Sequence, residues 1–265
     1  MGAGLQMTVN AETATALGDL AAKGERAQWT ADELTDGGRP AVPRWIPSAL
    51  YTALVSQFYH GELATLRLCR RLLQRIGDAD ARRCLAVQIA DEERHIRVYR
   101  AYLERLGDIA EPEPTVANAY QQVLTWPGPP EAMIAAFNIV LEGEALRTLD
   151  DLGGWLPCPW FRRINARVSR DEARHFAFGR FYLSAALPNL GRDQRLEIHH
   201  WLIGLWDAIG TAMLEQFHVP GLITRGHRRR WVEAGWRNHR AQLMAVGLVD
   251  ADEARLAESS GTSCL

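Results

Sequence analysis

The chain has few cysteines, no long apolar run and almost no net charge. Cys69, Cys84, Cys158 and Cys264 are too scattered for a disulfide framework, and none forms a C-x-x-C zinc pattern. Cys69 and Cys84 fall in helical stretches, where a small, inert buried hydrophobe is expected. No apolar run reaches the roughly 18 to 20 residues of a membrane span. The opening MGAGLQMTVNAETATALGDLAAKG lacks the basic-then-apolar plan of a secretory leader. With 30 basic against 32 acidic side chains, the formal charge is −2, and no overall field draws a nucleic acid or an anionic membrane. Nothing alternates with period two for long enough to make a strand. These absences predict a cytoplasmic, all-α protein with neither nucleic acid nor membrane as partner.

What is present is helical. Residues 1–47 form an arm, rich in Ala, Gly and Thr at first and closing on TDGGRPAVPRWIP, which predicts a loose or surface-packed segment. From Ser48, apolar residues recur at spacings of three and four as far as Gly77, and again from Ala81 to Gly107, which predicts an antiparallel helix pair. A proline-rich crossover follows, with room for one short helix. A second pair is expected over Glu131–Gly153 and Phe161–Leu187, making a four-helix core over about 48–188. Accessory helices are expected over about 192–248, completing one domain from 48 to 265.

One odd pentad occurs twice: DEERH at Asp91–His95 and DEARH at Asp171–His175. Glu and His three apart on a helix can reach one point beside it. Thirty residues before each pentad glutamate stands another glutamate in an apolar setting, Glu62 before Glu92 and Glu142 before Glu172. A lone carboxylate on an apolar face is expensive unless paired, protonated or bound to a metal. Glu144 competes with Glu142, because HGELATL and EGEALRTL align Glu62 with Glu144; on an α-helix the two point about 200° apart. The candidate ligands are therefore Glu62, Glu92, His95, Glu142 or Glu144, Glu172 and His175. The bland reading, exposed Glu, Arg and His in ordinary ion pairs, accounts for one such pentad more easily than for two.

With a lone Glu and a Glu-x-x-His in each half, residues 48–188 resemble the carboxylate-bridged di-iron proteins of ferritin-like fold. The resemblance implies that Glu62 and His95 serve one metal, Glu142 and His175 the other, and that Glu92 and Glu172 bridge. The doubled D-E-x-R-H is similar to that of bacterial di-iron monooxygenases, which implies that Asp91 and Asp171 orient the histidines across the bundle. Two iron ions are implied as cofactor, with manganese or a mixed Mn/Fe pair also fitting this donor set.

The implied activity is O2-dependent oxidation or oxygenation of a small organic substrate, fed by a separate ferredoxin or reductase, in a chain that could pair as a homodimer. The competing implications are a di-manganese or mixed-metal peroxide-consuming protein and a non-enzymatic iron binder. Tyr99, four residues after His95, stands at the offset of the radical tyrosine of ribonucleotide reductase small subunits, and reads more readily as a core tyrosine. RDEARHFAFGRFYL is similar to the last ligand helix of di-iron N-oxygenases, which carry a further histidine where this chain has Val168. The adjacent His199 and His200 cannot chelate on one helix face, and RGHRRRW at 225–231 reads as a solvated helix start.

Overall fold

A computed structural model describes residues 11–155, 158–216 and 225–261; Cys264 and the first ten residues lie outside them. Helices account for most of the described residues, and no strand occurs among them. Ahead of the bundle come α1 (Ala11–Arg26) and a one-turn α2 (Asp32–Thr35). The bundle begins with α3 (Ser48–Leu72) and α4 (Ala79–Leu106). Asp78 starts α4 by accepting from the Ala81 amide at 2.8 Å, and Gly107 ends it at φ 120°, a conformation that residues with a Cβ rarely adopt. Ser48 does open α3, but no side chain caps that helix; Pro47 precedes it in extended backbone.

The crossover holds α5 (Pro114–Leu124), capped by Glu113. The predicted third bundle helix is not uniform. It is built from α6 (Pro130–Ile134), a π-helical stretch Ala135–Leu141 and α7 (Glu142–Trp155). Then come α8 (Pro159–Ala186), α9 (Arg192–Gln216), α10 (Arg225–Ala245) and α11 (Ala251–Gly261). The sequence reading did not anticipate α11. Its signal is a capping box: the Asp250 carboxylate accepts from the Asp252 and Glu253 amides while Glu253 accepts from the Asp250 amide.

In the stretch expected to be loose or surface-packed, α1 lies against both α4 and α8, with Leu17 and Ala21 fully enclosed. Burying Leu17 alone contributes about 2 kcal/mol. The packed bundle holds two apolar cores. One gathers the C-terminal half of α3, the N-terminal half of α4, the π stretch and α9–α11; the other gathers Trp29, the start of α3, the end of α4 and the start of α8. Cys69 and Cys84 lie in the first core, and burial holds both thiols protonated. Between the two cores runs a layer of charged side chains.

Candidate metal centre

Glu62 comes from α3, Glu92 and His95 from α4, Glu142 from the first residue of α7, and Glu172 and His175 from α8; all six are buried. The fold brings them into two adjoining sets. Around His95 Nδ1 stand Glu62 Oε2 at 3.5 Å, Glu92 Oε2 at 3.4 Å and Glu172 Oε1 at 3.4 Å. Around His175 Nδ1 stand Glu92 Oε1 at 3.3 Å, Glu172 Oε2 at 3.4 Å and Glu142 Oε1 at 3.7 Å. Glu62 thus faces one histidine, Glu142 the other, and the two pentad glutamates reach both.

The opposite edge of each imidazole is held from the other hairpin. His95 Nε2 pairs with Asp171 Oδ2 at 3.2 Å, and His175 Nε2 pairs with Asp91 Oδ2 at 3.1 Å. An aspartate accepts the Nε2 proton, which leaves Nδ1 with its lone pair aimed into the cluster. Both Nδ1 atoms, and Glu92 Oε2, are buried without a hydrogen-bond partner. Unpaired lone pairs in a buried carboxylate cluster are costly, and a cation between them relieves that cost. The donor set fits a pair of hard divalent metals, because four carboxylates neutralise two dications and each set offers oxygen plus one imidazole.

Without metal, protons must take that place. Burial, then repulsion from Glu62, holds the Glu92 carboxyl well above the usual range, and burial does the same to Glu142. For the histidines burial acts against charge, yet the carboxylates outweigh it: Glu62 and Asp171 raise His95, and Glu172 and Asp91 raise His175. Burial pushes Glu172 up as well, but the two imidazoles overcome it and hold that carboxyl low.

Several supporting residues were not singled out in the sequence. Gln88 donates to Glu142 at 2.6 Å and to Glu92 at 3.3 Å. Asn138, in the π stretch, donates to Glu142 Oε2 at 2.8 Å and to the His175 carbonyl at 3.3 Å. Arg174 bonds both orienting aspartates, with Nη2 at 3.0 Å from Asp91 and 2.5 Å from Asp171. From the N-terminal arm, the Trp29 indole donates to Asp171 Oδ2 at 2.8 Å. The spacing of Gln88 one turn before Glu92, and of Asn138 one turn before Glu142, was the available signal.

Glu144 is turned away from both histidines. It pairs with Arg147, accepts from the Thr148 hydroxyl at 3.5 Å, and lies 3.5 Å from His239 Nε2. Tyr99 is fully buried, stacked on Phe58 at 5.9 Å, and its hydroxyl donates to Asn165 at 3.4 Å. That is the core-tyrosine arrangement.

A cavity of about 270 Å³ opens beside the cluster. Its lining includes Glu62, Glu142 and Glu172, the rings of Phe58, Tyr120 and Phe137, and Trp206, Ile209 and Met213 of α9.

Among solved structures the chain is similar to an R2-like ligand-binding oxidase from Sulfolobus acidocaldarius, with a TM-score of 0.58 and 16% identity over 86% of this chain and 88% of that one. A point variant of an R2-like ligand-binding oxidase with an aerobically reconstituted Mn/Fe cofactor gives 0.58 and 16%, covering 85% of this chain and 93% of that one. A further R2-like ligand-binding oxidase, with its metal cofactor reconstituted in air and photoconverted, gives 0.54 and 13% over 92% of each chain. The fold is ferritin-like, that of the R2-like oxidases. Neither a protein-family model nor a curated protein matches the sequence. On this fold, α9 to α11 pack beside the four-helix core, and α9 contributes to the lining of the cavity. Among the described residues, no helix is long and apolar enough to cross a membrane.

Proposed function

We propose that this chain is an O2-using di-metal oxidase or oxygenase acting on a small, largely apolar molecule held in the cavity beside the cluster. The observation that carries the reading is the pair of buried Nδ1 atoms, each without a hydrogen-bond partner and each surrounded by three carboxylate oxygens. Glu62 and His95 would hold one metal and Glu142 and His175 the other, with Glu92 and Glu172 shared.

Bound there in reduced form, such a pair supplies electrons to O2 and generates an oxidant for an unactivated organic bond. The residues of the chain do the rest. Asp91 and Asp171 fix the histidine tautomers, Arg174 ties the aspartates together, and the aromatic wall of the cavity keeps water away and places the substrate. Tyr99 is given no step. Iron in both positions and a mixed Mn/Fe pair both suit the donors, and the Mn/Fe cofactor of a similar structure favours keeping the second in view. Electrons would come from a separate ferredoxin or reductase, in a cytoplasmic setting that keeps the metals reduced.

The test is metal analysis after expression with defined iron or manganese, followed by O2 uptake of the anaerobically reduced protein. Paired metals with stoichiometric O2 consumption are expected. Peroxide dismutation without O2 uptake, or slow deposition of many irons per chain, would replace this reading with a catalase-like or a storage protein.

A further inference from the structure

The carboxylates on the cavity wall are engaged, whereas some of its donors are not. Glu62, Glu142 and Glu172 belong to the cluster, and Glu144 is paired with Arg147, accepts from Thr148 and lies 3.5 Å from His239. Three donors are spent within the protein: the Thr65 hydroxyl on the Gly61 carbonyl at 3.1 Å, the Thr148 hydroxyl on Glu144, and the Trp206 indole on the Val232 carbonyl at 2.8 Å. Gln57 donates to the Ala53 carbonyl and accepts from the Glu113 amide, both at 3.3 Å, which ties it between α3 and the start of α5 and leaves it one N–H. The Trp231 indole N–H and the Tyr120 hydroxyl have no hydrogen-bond partner among the described residues.

Of these donors, the Tyr120 hydroxyl is the one set beside a cluster glutamate. Its helix α5 packs on both α3 and α9. The Tyr120 ring lies 5.7 Å from that of Phe137 in the π stretch, and a Cβ on Gly61 would come 3.5 Å from the hydroxyl oxygen. Gly61 immediately precedes Glu62, and Gly61 and Phe137 both line the cavity. The hydroxyl oxygen is not sealed in the core, and with no side chain on Gly61 its approach stays open. Burial, then the Glu62 charge, push its pKa up to about 12, so near pH 7 the phenol keeps its proton and can donate. Trp231 instead packs on Trp206 and Arg147, at 5.8 and 5.3 Å.

We infer that the cavity takes a small apolar molecule carrying one carbonyl oxygen, which accepts from the Tyr120 hydroxyl and so holds the neighbouring carbons on the Glu62 side of the cavity. This rests on the reading of the cavity as the substrate site. A carbonyl only accepts, so it satisfies the phenol and strands no donor of its own among carboxylates that are already engaged. An ammonium would need a carboxylate whose charge is not yet paired. A carboxylate head would bring its charge into a cavity that, among the described residues, no Lys, Arg or His lines.

The experiment is calorimetric titration of the metal-loaded full chain with acetophenone and with α-methylstyrene, in which a methylene replaces the carbonyl oxygen at nearly the same shape. It is repeated on Tyr120→Phe, with metal content measured on each preparation. The ketone-to-alkene affinity ratio should fall roughly three- to tenfold in Tyr120→Phe, the range of one neutral hydrogen bond, while the metal content matches wild type. Infrared spectra give a second readout: the carbonyl stretch of bound acetophenone should lie below its value in hexane in wild type and rise in Tyr120→Phe. A ratio and a stretch that survive Tyr120→Phe put the oxygen on another donor and overturn the inference. A wild-type stretch equal to that in hexane overturns it without any variant, as does a failure of acetophenone to bind a preparation with paired metals. Neither readout depends on O2 chemistry, so these outcomes leave the proposed function standing. A metal-free wild-type preparation sinks the proposed function instead.

Discussion

Glu92 and Glu172 divide their oxygens in the same way: each turns one toward His95 and the other toward His175, at 3.3 to 3.4 Å. Residues shared between two subsites should fail differently from residues that serve one. Glu92→Ala and Glu172→Ala should each abolish the paired-metal signal, whereas Glu62→Ala should spare the His175 side. Metal stoichiometry by mass spectrometry checks this, and full loading of Glu92→Ala would refute the shared role.

The aspartates should act on affinity through the imidazoles. Asp91→Asn and Asp171→Asn retain shape but present an amide to Nε2, and each should weaken metal binding by about 10- to 100-fold. Competition against a chelator of known affinity measures it. An unchanged affinity would mean that the 3.1 and 3.2 Å contacts only fill space.

Gly179 of α8 packs against the π stretch. A Cβ there would lie 2.6 Å from the Asn138 Cβ and 3.2 Å from Ile139 Cδ1. Gly179→Ala should cost about 1 to 3 kcal/mol through overpacking and displace Asn138 from Glu142. Denaturant unfolding gives the stability, and metal analysis should register a loss confined to the His175 side.

The pH dependence follows from the raised groups. Without metal, the folded chain keeps protons on Glu92 and Glu142 that the unfolded chain releases above about pH 4.3, and on His95 and His175 that it releases above about pH 6.5. The folded state then binds more protons than the unfolded one, so metal-free stability falls as pH rises through that window, with Glu172 opposing in part. Metals compete for the same lone pairs and bind better as the protons leave. The Tm gap between metal-loaded and metal-free protein should therefore widen from acid toward neutral pH in a scanning-calorimetry series. A constant gap would rule out protons as the competing occupants.

Trp29 offers a test of the arm. Trp29→Phe removes the indole donor to Asp171 and should destabilise the fold by about 1.5 to 3 kcal/mol, since the acceptor is ionised. Thermal unfolding checks it.

Much of this protein was legible as local periodicity. A helix period, the Gly107 stop and two copies of Glu-x-x-His are facts about neighbours three and four residues apart, and the helix itself converts such spacing into a shared face. Those facts were enough to predict the two hairpins and six candidate ligands. What had no local signature was decided by packing. The 30-residue spacing already pointed to Glu142 over Glu144, but the π stretch just upstream of it is something a 3.6-residue period cannot anticipate. The burial of α1, the reach of Trp29 to Asp171 across 142 positions, and a cavity lined in part by α9 all depend on contacts between distant segments. The chain order set which side chains could share a helix face; only the closing of one hairpin on the other decided which faces met, because that outcome is fixed by the fit of apolar surfaces and not by any residue's near neighbours.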